Sequence, residues 1–438
     1  MVYQPRVVPR RRRRLNWRVI IPSFILVLLV GYILFNLLFP KDLLIDTPSF
    51  VVCDYSYTKT QSILNELQYE EKIELKDYLF YGETLNIFNA TYDINQADYF
   101  IGKTIKLRNI CDSSEWVYML GKNVDEQIPL ENLPDGFYEI FVVDSLKEKR
   151  LVTSGELYDE FYTVRRNGLS KKIDLVADKD LLKEKDDSLP IMEDNYFFLN
   201  ISTQSDEQDN PEIYDVYLDA AHNTISYNYV DKGRTVNNLV EADELYKVAV
   251  AVKGKLEAKG LRVLLSRENE DTVINQYGIE GRLNRAYKAQ VKHYIELNLN
   301  FTTNEDTRGS RVIYSSYSSN RFATALFKSY ISTPGLVPYG RQTSTNIAGV
   351  LSSSRTNNLD SYPVIREAGG RILSAGTISE LAIEQNSEFN SNERKGIQSV
   401  SLELFFISNP LDVNVYQSDF DTIVNNIANG YLKYLGME

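Results

Sequence analysis

Residue types that could act together in metal chemistry are spread over the second half of the chain. The stretch DVYLDAAHNTIS, residues 215–226, is an apolar, β-rich run that stops at His222, one of only two histidines in 438 residues. Glu241 opens the next helical pattern, and Glu403 lies in the apolar run VSLELFFIS. Histidine and glutamate are zinc ligands, and a further glutamate can take a proton from metal-bound water. The three residues therefore indicate hydrolytic chemistry, provided that the fold brings them together.

Strands and helices alternate after Ile213, which predicts how those residues could meet. Strands are predicted at DVYLDA, LRVLLS, HYIELNLNF, GSRVIYSSY and QSVSLELFFIS. Helices are predicted at EADELYKVAVAVKGKLEAKG, GIEGRLNRAYKAQ, NRFATALFKSYIS and SDFDTIVNNIANGYLKYLG. In the first helix, the apolar residues with helical spacing are Leu245, Val248, Val252 and Leu256, and Gly260 marks its end. This pattern predicts an α/β domain of three layers with a mostly parallel sheet, in which functional groups gather beyond the carboxyl ends of the strands.

In these segments the sequence resembles the zinc-dependent N-acetylmuramoyl-L-alanine amidases, which cleave peptidoglycan. The resemblance covers roughly residues 213–437. The family motif Asp-Ala-Gly-His is matched by DAAH at 219–222, and its Leu-Glu-x-x-Gly turn is matched by LEAKG after the helix that Glu241 begins. Ser266 and Arg267 stand at the family's Thr-Arg pair, GRLNRAYKA resembles its arginine-containing helix, and ELFFISNP resembles Glu-x-Gly-Phe-x-Ser-Asn. Five matches in order make the resemblance fairly specific.

The resemblance implies a site and a reaction. The family holds zinc with two histidines and one glutamate, which here implies His222, Glu241 and, at the second histidine position, Asn298. Glu403 takes the position of the catalytic base, and Asp219 is expected to brace His222 from behind. The bond cut would join the lactyl group of muramic acid to the L-alanine of the stem peptide.

Asn298 is the main departure from the family pattern. An amide oxygen suits calcium or magnesium better than zinc, which favours imidazole or thiolate. His293 cannot easily replace it, because residues 293 and 298 of one strand point to opposite faces. Glu296 shares the face of Asn298, about 7 Å back along the strand, so a rearranged site that uses Glu296 is an alternative. Two smaller departures are Ala221 and Phe405, which replace family glycines.

Two hypotheses of different classes follow. The first, which is the leading interpretation, is a membrane-anchored, zinc-dependent peptidoglycan amidase, and the joint presence of His222, Glu241 and Glu403 favours it. The second is a catalytically degenerate amidase fold that binds wall glycopeptide or a protein partner, and Asn298 and Phe405 favour it. A zinc exopeptidase is a third class, but no acids are spaced for the second metal cluster it would usually need. Taken singly, His222 could be an ordinary strand-end histidine and Glu241 an acid favoured by the helix dipole.

The N-terminus indicates a membrane anchor. Residues 1–18 hold seven arginines and no acid and form a basic cytoplasmic tail. Val19–Phe39 carries no charge, and its length matches the ~20 residues of a transmembrane helix. Because the arginines lie on one side only, we expect a single-pass protein of the cell membrane with everything after Lys41 extracytoplasmic. A cleaved signal peptide is the alternative, but FPKDLLID offers no small-residue cleavage site.

The remaining features bound the domains and partners. The net charge is −12, and without the +7 of the basic tail the rest of the chain carries −19, which disfavours nucleic acid. Residues 50–170 are predicted to form a small β-rich module, 171–212 a charged linker and 213–438 the amidase-like domain. Cys53 and Cys111 could form one bridge, although two separate buried thiols are the favoured interpretation. EAGGRILSAG is interpreted as a groove or lid loop, since it lacks the lysine of a phosphate loop.

Overall fold

The computed structural model describes residues 71–181, 191–205, 212–226, 228–278, 280–341, 346–376 and 394–438, together with Glu66 and Lys183. The first eleven strands build the β-rich domain. They are β1 (Lys72–Glu74), β2 (Asp77–Tyr81), β3 (Thr84–Phe88), β4 (Thr104–Asn109), β5 (Glu115–Met119), β6 (Ile128–Pro129), β7 (Gly136–Asp144), β8 (Lys147–Thr153), β9 (Leu157–Tyr162), β10 (Leu169–Ala177) and β11 (Asn195–Ser205). Eight of them form one sheet in the order β5-β4-β7-β8-β11-β10-β9, with β1 paired to β8.

Among the described residues, the C-terminal domain contains the remaining strands and six α-helices. The strands are β12 (Val216–Ala220), β13 (Thr224–Ser226), β14 (Tyr229–Asp231), β15 (Thr235–Val236), β16 (Leu239–Val240), β17 (Val263–Leu265), β18 (His293–Asn300), β19 (Arg311–Tyr314), β20 (Val350–Ser352), β21 (Arg355–Thr356), β22 (Leu359–Asp360), β23 (Lys395–Gly396) and β24 (Gln398–Phe406). The helices are α1 (Glu241–Glu257), α2 (Arg282–Lys288), α3 (Arg321–Tyr330), α4 (Pro363–Ala368), α5 (Pro410–Ser418) and α6 (Phe420–Tyr434), with a 3-10 turn at Gly370–Leu373.

The C-terminal sheet is a mixed α/β structure in three layers. Its six strands run in the order β17-β12-β18-β24-β19-β20, and every pairing is parallel except β19 with β24. One face packs on α1, α3 and α6, through residues such as Leu218, Leu297 and Leu402. The other face packs on α2 and α4, through residues such as Tyr217 and Tyr294. The predicted periodicity of α1 is borne out by its buried residues, which include Leu245, Val248, Val252 and Leu256.

Residues 171–212 are not the charged linker that the sequence predicts, because most of β10 and all of β11 lie within this range. β10 is paired along its length with β11 and with β9. The charges of β10 are accommodated across the sheet: Lys172 Nζ lies 3.1 Å from the buried Asp174 Oδ1 and 3.3 Å from Glu160 Oε2. Ile173 and Leu175, which alternate with Lys172 and Asp174 along β10, face the core. Charge composition alone therefore placed the domain boundary about thirty residues too early.

The two domains share hydrogen-bonded backbone. Strand β23, which belongs to the chain between α4 and β24, pairs with β2 of the β-rich domain through Phe80–Lys395 and Tyr81–Gly396. The buried carboxylate of Asp77 receives Arg371 and Arg394 from either side of residues 377–393. All of the described residues consequently belong to one compact unit.

Two expectations about the N-terminal part meet the structure differently. Within the described residues, no helix is both long enough and apolar enough for a membrane span. The predicted span Val19–Phe39 and the basic tail lie outside the described residues. Cys111 is disulfide-bonded, which corrects the favoured interpretation of separate thiols. Cys53, the only other cysteine of the sequence, also lies outside the described residues.

Candidate functional site

His222 and Glu241 meet beyond the carboxyl end of β12. His222 Nε2 lies 3.3 Å from Glu241 Oε1, and Nδ1 lies 3.4 Å from Asp231 Oδ2 on β14. Burial alone would lower the pKa of His222, but the hydrogen bond and charge of Glu241, with a smaller contribution from Asp231, raise it above its ordinary value. The imidazole is therefore held between two carboxylates, one on each ring nitrogen.

The turn around the histidine is built from unusual backbone conformations. His222 and Asn223 both adopt positive φ, at 68° and 52°. Such a pair is costly for non-glycine residues, and the buried Asn223 amide stabilises it by donating to the carbonyl of Thr272 at 2.8 Å. Gly233 is required opposite, since a Cβ there would lie 2.5 Å from Glu241 Oε2 and 2.8 Å from His222 Cδ2. The sequence thus shapes this end of the sheet around the His222–Glu241 contact.

Asn298 reaches the same neighbourhood through the backbone of β18. The amide nitrogen of Leu299 donates to Asn298 Oδ1 at 3.0 Å and to Glu241 Oε1 at 3.1 Å. The second oxygen of Glu241 accepts from the Arg234 nitrogen at 2.9 Å. Both oxygens of Glu241 and the amide oxygen of Asn298 therefore already accept hydrogen bonds from the backbone.

Glu403 lies next to Asn298 on the neighbouring strand but has a partner of its own. The two residues are register partners between β18 and β24, and Arg311 is the register partner of Glu403 on β19. Arg311 Nε donates to Glu403 Oε2 at 2.6 Å and Nη2 donates to Oε1 at 2.9 Å. The side chain of Glu403 is only 6% exposed and that of Arg311 29%. This is a forked, charge-assisted pair that occupies both carboxylate oxygens.

The carboxylate of Glu296, two residues before Asn298 on β18, forms a separate polar network. Its Oε2 accepts from Ser401 Oγ at 2.5 Å and from the Tyr362 hydroxyl at 2.9 Å. Burial, reinforced by the nearby Asp219, raises the pKa of Glu296 to about 7. The alternative of a rearranged metal site that uses Glu296 finds no support in this arrangement, because the contacts of that carboxylate are to hydroxyl groups of its own layer.

Two further sequence-predicted roles are resolved by the contacts. Asp219 does not brace His222, because it accepts hydrogen bonds from Arg282 Nη1 at 3.1 Å and from the Tyr294 hydroxyl at 2.5 Å. The carboxylate that contacts the imidazole of His222 is that of Asp231. Asp219 lies within the strand and faces α2, whereas His222 lies beyond the strand end. His293 does point away from Asn298, as predicted, into the other face, where Nδ1 lies 2.9 Å from the Tyr431 hydroxyl.

Phe405, which replaces a family glycine, is packed into the core of the domain. Its ring is buried and stacks on Tyr416 of α5, with centroids 4.7 Å apart. The pairing of β18 with β24 shifts register between Asn298 and Asn300, just before this point. The departure at Phe405 therefore fills the core and does not obstruct the residues at the sheet end.

Comparison with known proteins identifies the domain. Residues 216–433 match the family described as N-acetylmuramoyl-L-alanine amidase. These residues belong to the N-acetylmuramoyl-L-alanine amidase family. Membership in this family supports an amidase activity on peptidoglycan. The side chains at the site determine whether this chain has the zinc ligands and the base for that activity. No curated protein matches the chain in sequence.

Solved amidase structures resemble about half of the chain. The catalytic domain of CwlV, an amidase from Bacillus (Paenibacillus) polymyxa var. colistinus, is 19% identical, covers 52% of this chain and 100% of its own, and has a TM-score of 0.37. AmiC2 of Nostoc punctiforme is 16% identical over 52% of this chain and 99% of its own, with a TM-score of 0.34. An amidase from Clostridium difficile 630 is 16% identical over 52% of this chain and 99% of its own, with a TM-score of 0.34.

The amidase domain does not fit the zinc site that the family resemblance implies. It supplies one imidazole, one carboxylate and one amide where two imidazoles and a carboxylate are expected, and zinc binds amide oxygen poorly. Across the described part of the chain, no group of three or more His, Cys, Asp or Glu side chains is placed to hold a metal ion. The guanidinium of Arg311 also neutralises the Glu403 carboxylate, which cancels the attraction of that carboxylate for a divalent cation.

Sequence reasoning missed Arg311 and Asp231 at this site. A signal for Arg311 was available, because an arginine in the apolar run RVIY needs a buried or half-buried acidic partner. Asp231 gave no such signal, since its contact with His222 depends on how the β13–β14 hairpin folds back. The amidase site is thus built from four predicted residues and two that only the fold brings in.

Proposed function

We propose that the protein engages peptidoglycan at the carboxyl end of its C-terminal sheet and binds the glycopeptide there without the zinc hydrolysis of its family. One observation carries the proposal: Arg311 holds both oxygens of Glu403, the position of the catalytic base. A general base needs a free lone pair directed at the proton it removes. Because the forked ion pair engages one lone pair of each oxygen and turns the carboxylate toward Arg311, Glu403 serves in this proposal as an anchor for a cation and not as a proton acceptor.

The residues around this end of the sheet suit recognition of a ligand with polar and apolar parts. The hairpin β13–β14, which follows His222 directly, leaves Ile225 and Tyr229 exposed, at 57% and 62%. Phe301, at the end of β18, is 40% exposed and carries the Arg234 guanidinium 4.7 Å above its ring. Aromatic side chains offer flat apolar area with little entropy loss, which suits the faces of sugar rings and the methyl groups of alanine.

Co-sedimentation with purified peptidoglycan sacculi tests the proposal directly. We expect the full-length protein, solubilised in detergent, to bind sacculi, and we expect Tyr229→Ala combined with Phe301→Ala to weaken binding about tenfold, roughly 1.4 kcal/mol. Tyr158→Ala, on the exposed edge strand β9, is the matched control and should bind as the wild type does. Equal binding by all three proteins would remove the assignment of this surface.

A second candidate function is hydrolysis of the amide between the muramic acid lactyl group and the stem-peptide L-alanine. The observation that favours it is the His222–Glu241 contact, in which the imidazole Nε2 faces a carboxylate and Nδ1 is oriented by Asp231. This is how ligands and their supporting residues are arranged in histidine metal sites. Zinc content near one ion per purified chain, together with release of labelled wall fragments, would support hydrolysis over binding alone.

We also propose that Val19–Phe39 anchors the protein in the cell membrane, with its N-terminus in the cytoplasm and both folded domains outside. The support is the uncharged length of the segment and the seven arginines on one side of it. Protease added to intact spheroplasts should degrade residues 42–438 and spare a tag placed before Met1. Protection of the C-terminal domain in intact spheroplasts would overturn this orientation.

A further inference from the structure

A cavity of about 260 Å³ lies between the β-rich domain and the amino-terminal end of the C-terminal sheet. The β-rich domain contributes Phe161 of β9, and the C-terminal domain contributes Val291, Lys292, Lys395 and Ile397. Lys292 comes just before β18, whereas Asn298 lies near the other end of that strand. At ~3.3 Å per residue the cavity is about 20 Å from the site described above. It is therefore a distinct feature at the opposite edge of the sheet.

Three lysine side chains line this cavity. Lys292 is only 3% exposed; its Nζ donates to the carbonyl oxygen of Gln290 and lies 5.0 Å from the Phe161 ring centroid. Within the described part of the chain it forms no ion pair. Lys395 Nζ lies 3.8 Å from Asp159, and Lys288 Nζ lies 3.6 Å from Glu280, a largely exposed pair. At 3.8 Å the Lys395–Asp159 pair is long, so it contributes little and does not prevent that ammonium group from meeting an anion in the cavity.

We propose that this cavity binds a small organic anion, consisting of a carboxylate or phosphate group on an apolar body. The ammonium groups of Lys288, Lys292 and Lys395 supply donors and charge for the anion. Phe161, Val291 and Ile397 supply an apolar wall for the rest of the ligand. A water molecule takes about 30 Å³ of the liquid, so the cavity accommodates on the order of eight non-hydrogen atoms, more than a bare inorganic ion needs.

Because Lys292 is buried, anion binding in the cavity is coupled to the uptake of protons. Burial lowers the pKa of Lys292 to about 7; Asp215 and Glu83 act to raise it, and Lys395 and Arg165 act to lower it further. Near neutral pH a substantial share of the molecules therefore has an uncharged amine in the cavity. An anion beside Nζ favours the ammonium form, so binding at pH 8 takes up protons from solution.

The cavity requires both domains in contact. Phe161 stacks on Phe80 of β2, with centroids 4.3 Å apart, and Phe80 is the register partner of Lys395. The β2–β23 pairing that joins the domains therefore sets the distance between Phe161 and Lys395. The inference does not depend on what the carboxyl-end site does, because none of its residues lines the cavity.

Isothermal titration of the full-length protein in detergent tests the inference. The probes are benzoate and phenyl phosphate, which separate a carboxylate site from a phosphate site, and benzyl alcohol as the neutral counterpart. We expect at least one anion to bind and the alcohol not to bind. At pH 8, titrations in two buffers of different ionisation enthalpy should show proton uptake with the anion that binds.

Variants of the lining lysines decide the outcome. Lys292→Met and Lys395→Gln should each weaken anion binding at least tenfold, and Lys253→Gln, which removes a partly exposed lysine from α1, should leave it unchanged. Should Lys292→Met not fold, Lys288→Gln combined with Lys395→Gln replaces it, because both side chains are partly exposed. The inference is overturned if neither anion binds, if the alcohol binds equally well, or if the lysine variants bind as the wild type does.

Discussion

Arg311 and Glu403 lie directly opposite each other on the antiparallel strands β19 and β24. The guanidinium group of Arg311 donates hydrogen bonds to both carboxylate oxygens of Glu403, at 2.6 and 2.9 Å. Strands β17, β12, β18 and β24 run in one direction and β19 and β20 run in the other, so β19 passes back along the site and brings Arg311 into the row of Asn298 and Glu403. This reversal of strand direction supplies a cation where the family resemblance leads one to expect only a base and a metal.

Breaking the pair should destabilise the domain. Arg311→Met leaves the Glu403 carboxylate, which is 6% exposed, without its partner. We expect a loss of about 2 to 3 kcal/mol in the free energy of unfolding, at the lower end for a buried pair because Arg311 itself is partly exposed. Urea denaturation measures the loss, and Arg311→Met combined with Glu403→Met should recover most of it. If the double variant is as unstable as the sum of the two single variants, the residues are not coupled.

Replacing the amide at the third ligand position should restore metal affinity. Asn298→His would add a second imidazole beside His222 and Glu241, which brings the ligands to the family's complement. We expect zinc per purified chain to rise from well below one toward one, measured by elemental analysis after dialysis. Asn304→His, in the exposed loop after β18, is the control and should leave zinc content unchanged. No increase in Asn298→His would mean that the two retained ligands do not face position 298.

The second histidine should make the fold sensitive to acid. Burial lowers the pKa of His293 to about 4, below the ordinary 6.5, and Arg166 lowers it too, while Glu83 acts to raise it. The folded state therefore binds the proton more weakly than the unfolded state does. The stabilisation is fully present above pH 6.5 and is lost as the pH falls toward 4.

We expect His293 to contribute about 2 kcal/mol to the fall in unfolding free energy between pH 7 and pH 5. Urea denaturation at both pH values measures this fall, and His293→Phe should reduce it. Tyr431→Phe removes the same 2.9 Å hydrogen bond but keeps the imidazole, so it should retain the full pH dependence. An identical pH dependence in His293→Phe and in the wild type would contradict the buried neutral state.

Asp77 should couple the unfolding of the two domains. This buried carboxylate accepts from the Tyr78 and Tyr92 nitrogens at 2.9 and 3.1 Å and pairs with Arg371 and Arg394. Asp77→Asn should cost about 2 kcal/mol, because it weakens both ion pairs while keeping the shape of the side chain. Fluorescence and circular dichroism should report one urea transition in the wild type and separated transitions in Asp77→Asn. Asp180→Asn, at an exposed site of the β-rich domain, is the control.

The sequence pattern was a sound guide to the C-terminal domain, because its long helices bury one face each and its central strands are apolar runs covered on both faces. The helix that begins at Glu241 and the strand His293–Asn300 lie where the pattern places them. The short elements α4 and α5 were missed, since six and nine residues give too few turns for a helical period. The linker prediction failed at β10 because charges that pair across a sheet have the same composition as charges in solvent.

The site was predictable to the extent that it follows strand ends. His222, Glu241, Asn298 and Glu403 all lie at the carboxyl end of the sheet, as the α/β pattern requires. The role given to Asp219 was wrong, because alternation turns its side chain toward Arg282 and Tyr294 inside the layer. Partners that arrive from other elements, Arg311 from an antiparallel strand and Asp231 from a hairpin, depend on long-range pairing that the local pattern does not encode.

The most direct test of the account is the release of new N-terminal L-alanine from purified peptidoglycan by the full-length protein in the presence of zinc. The account predicts that sacculi retain the protein while the yield of N-terminal alanine equals that of the Glu403→Gln variant. A yield severalfold above that variant would contradict it, since Glu403 would then be acting as a base in spite of Arg311.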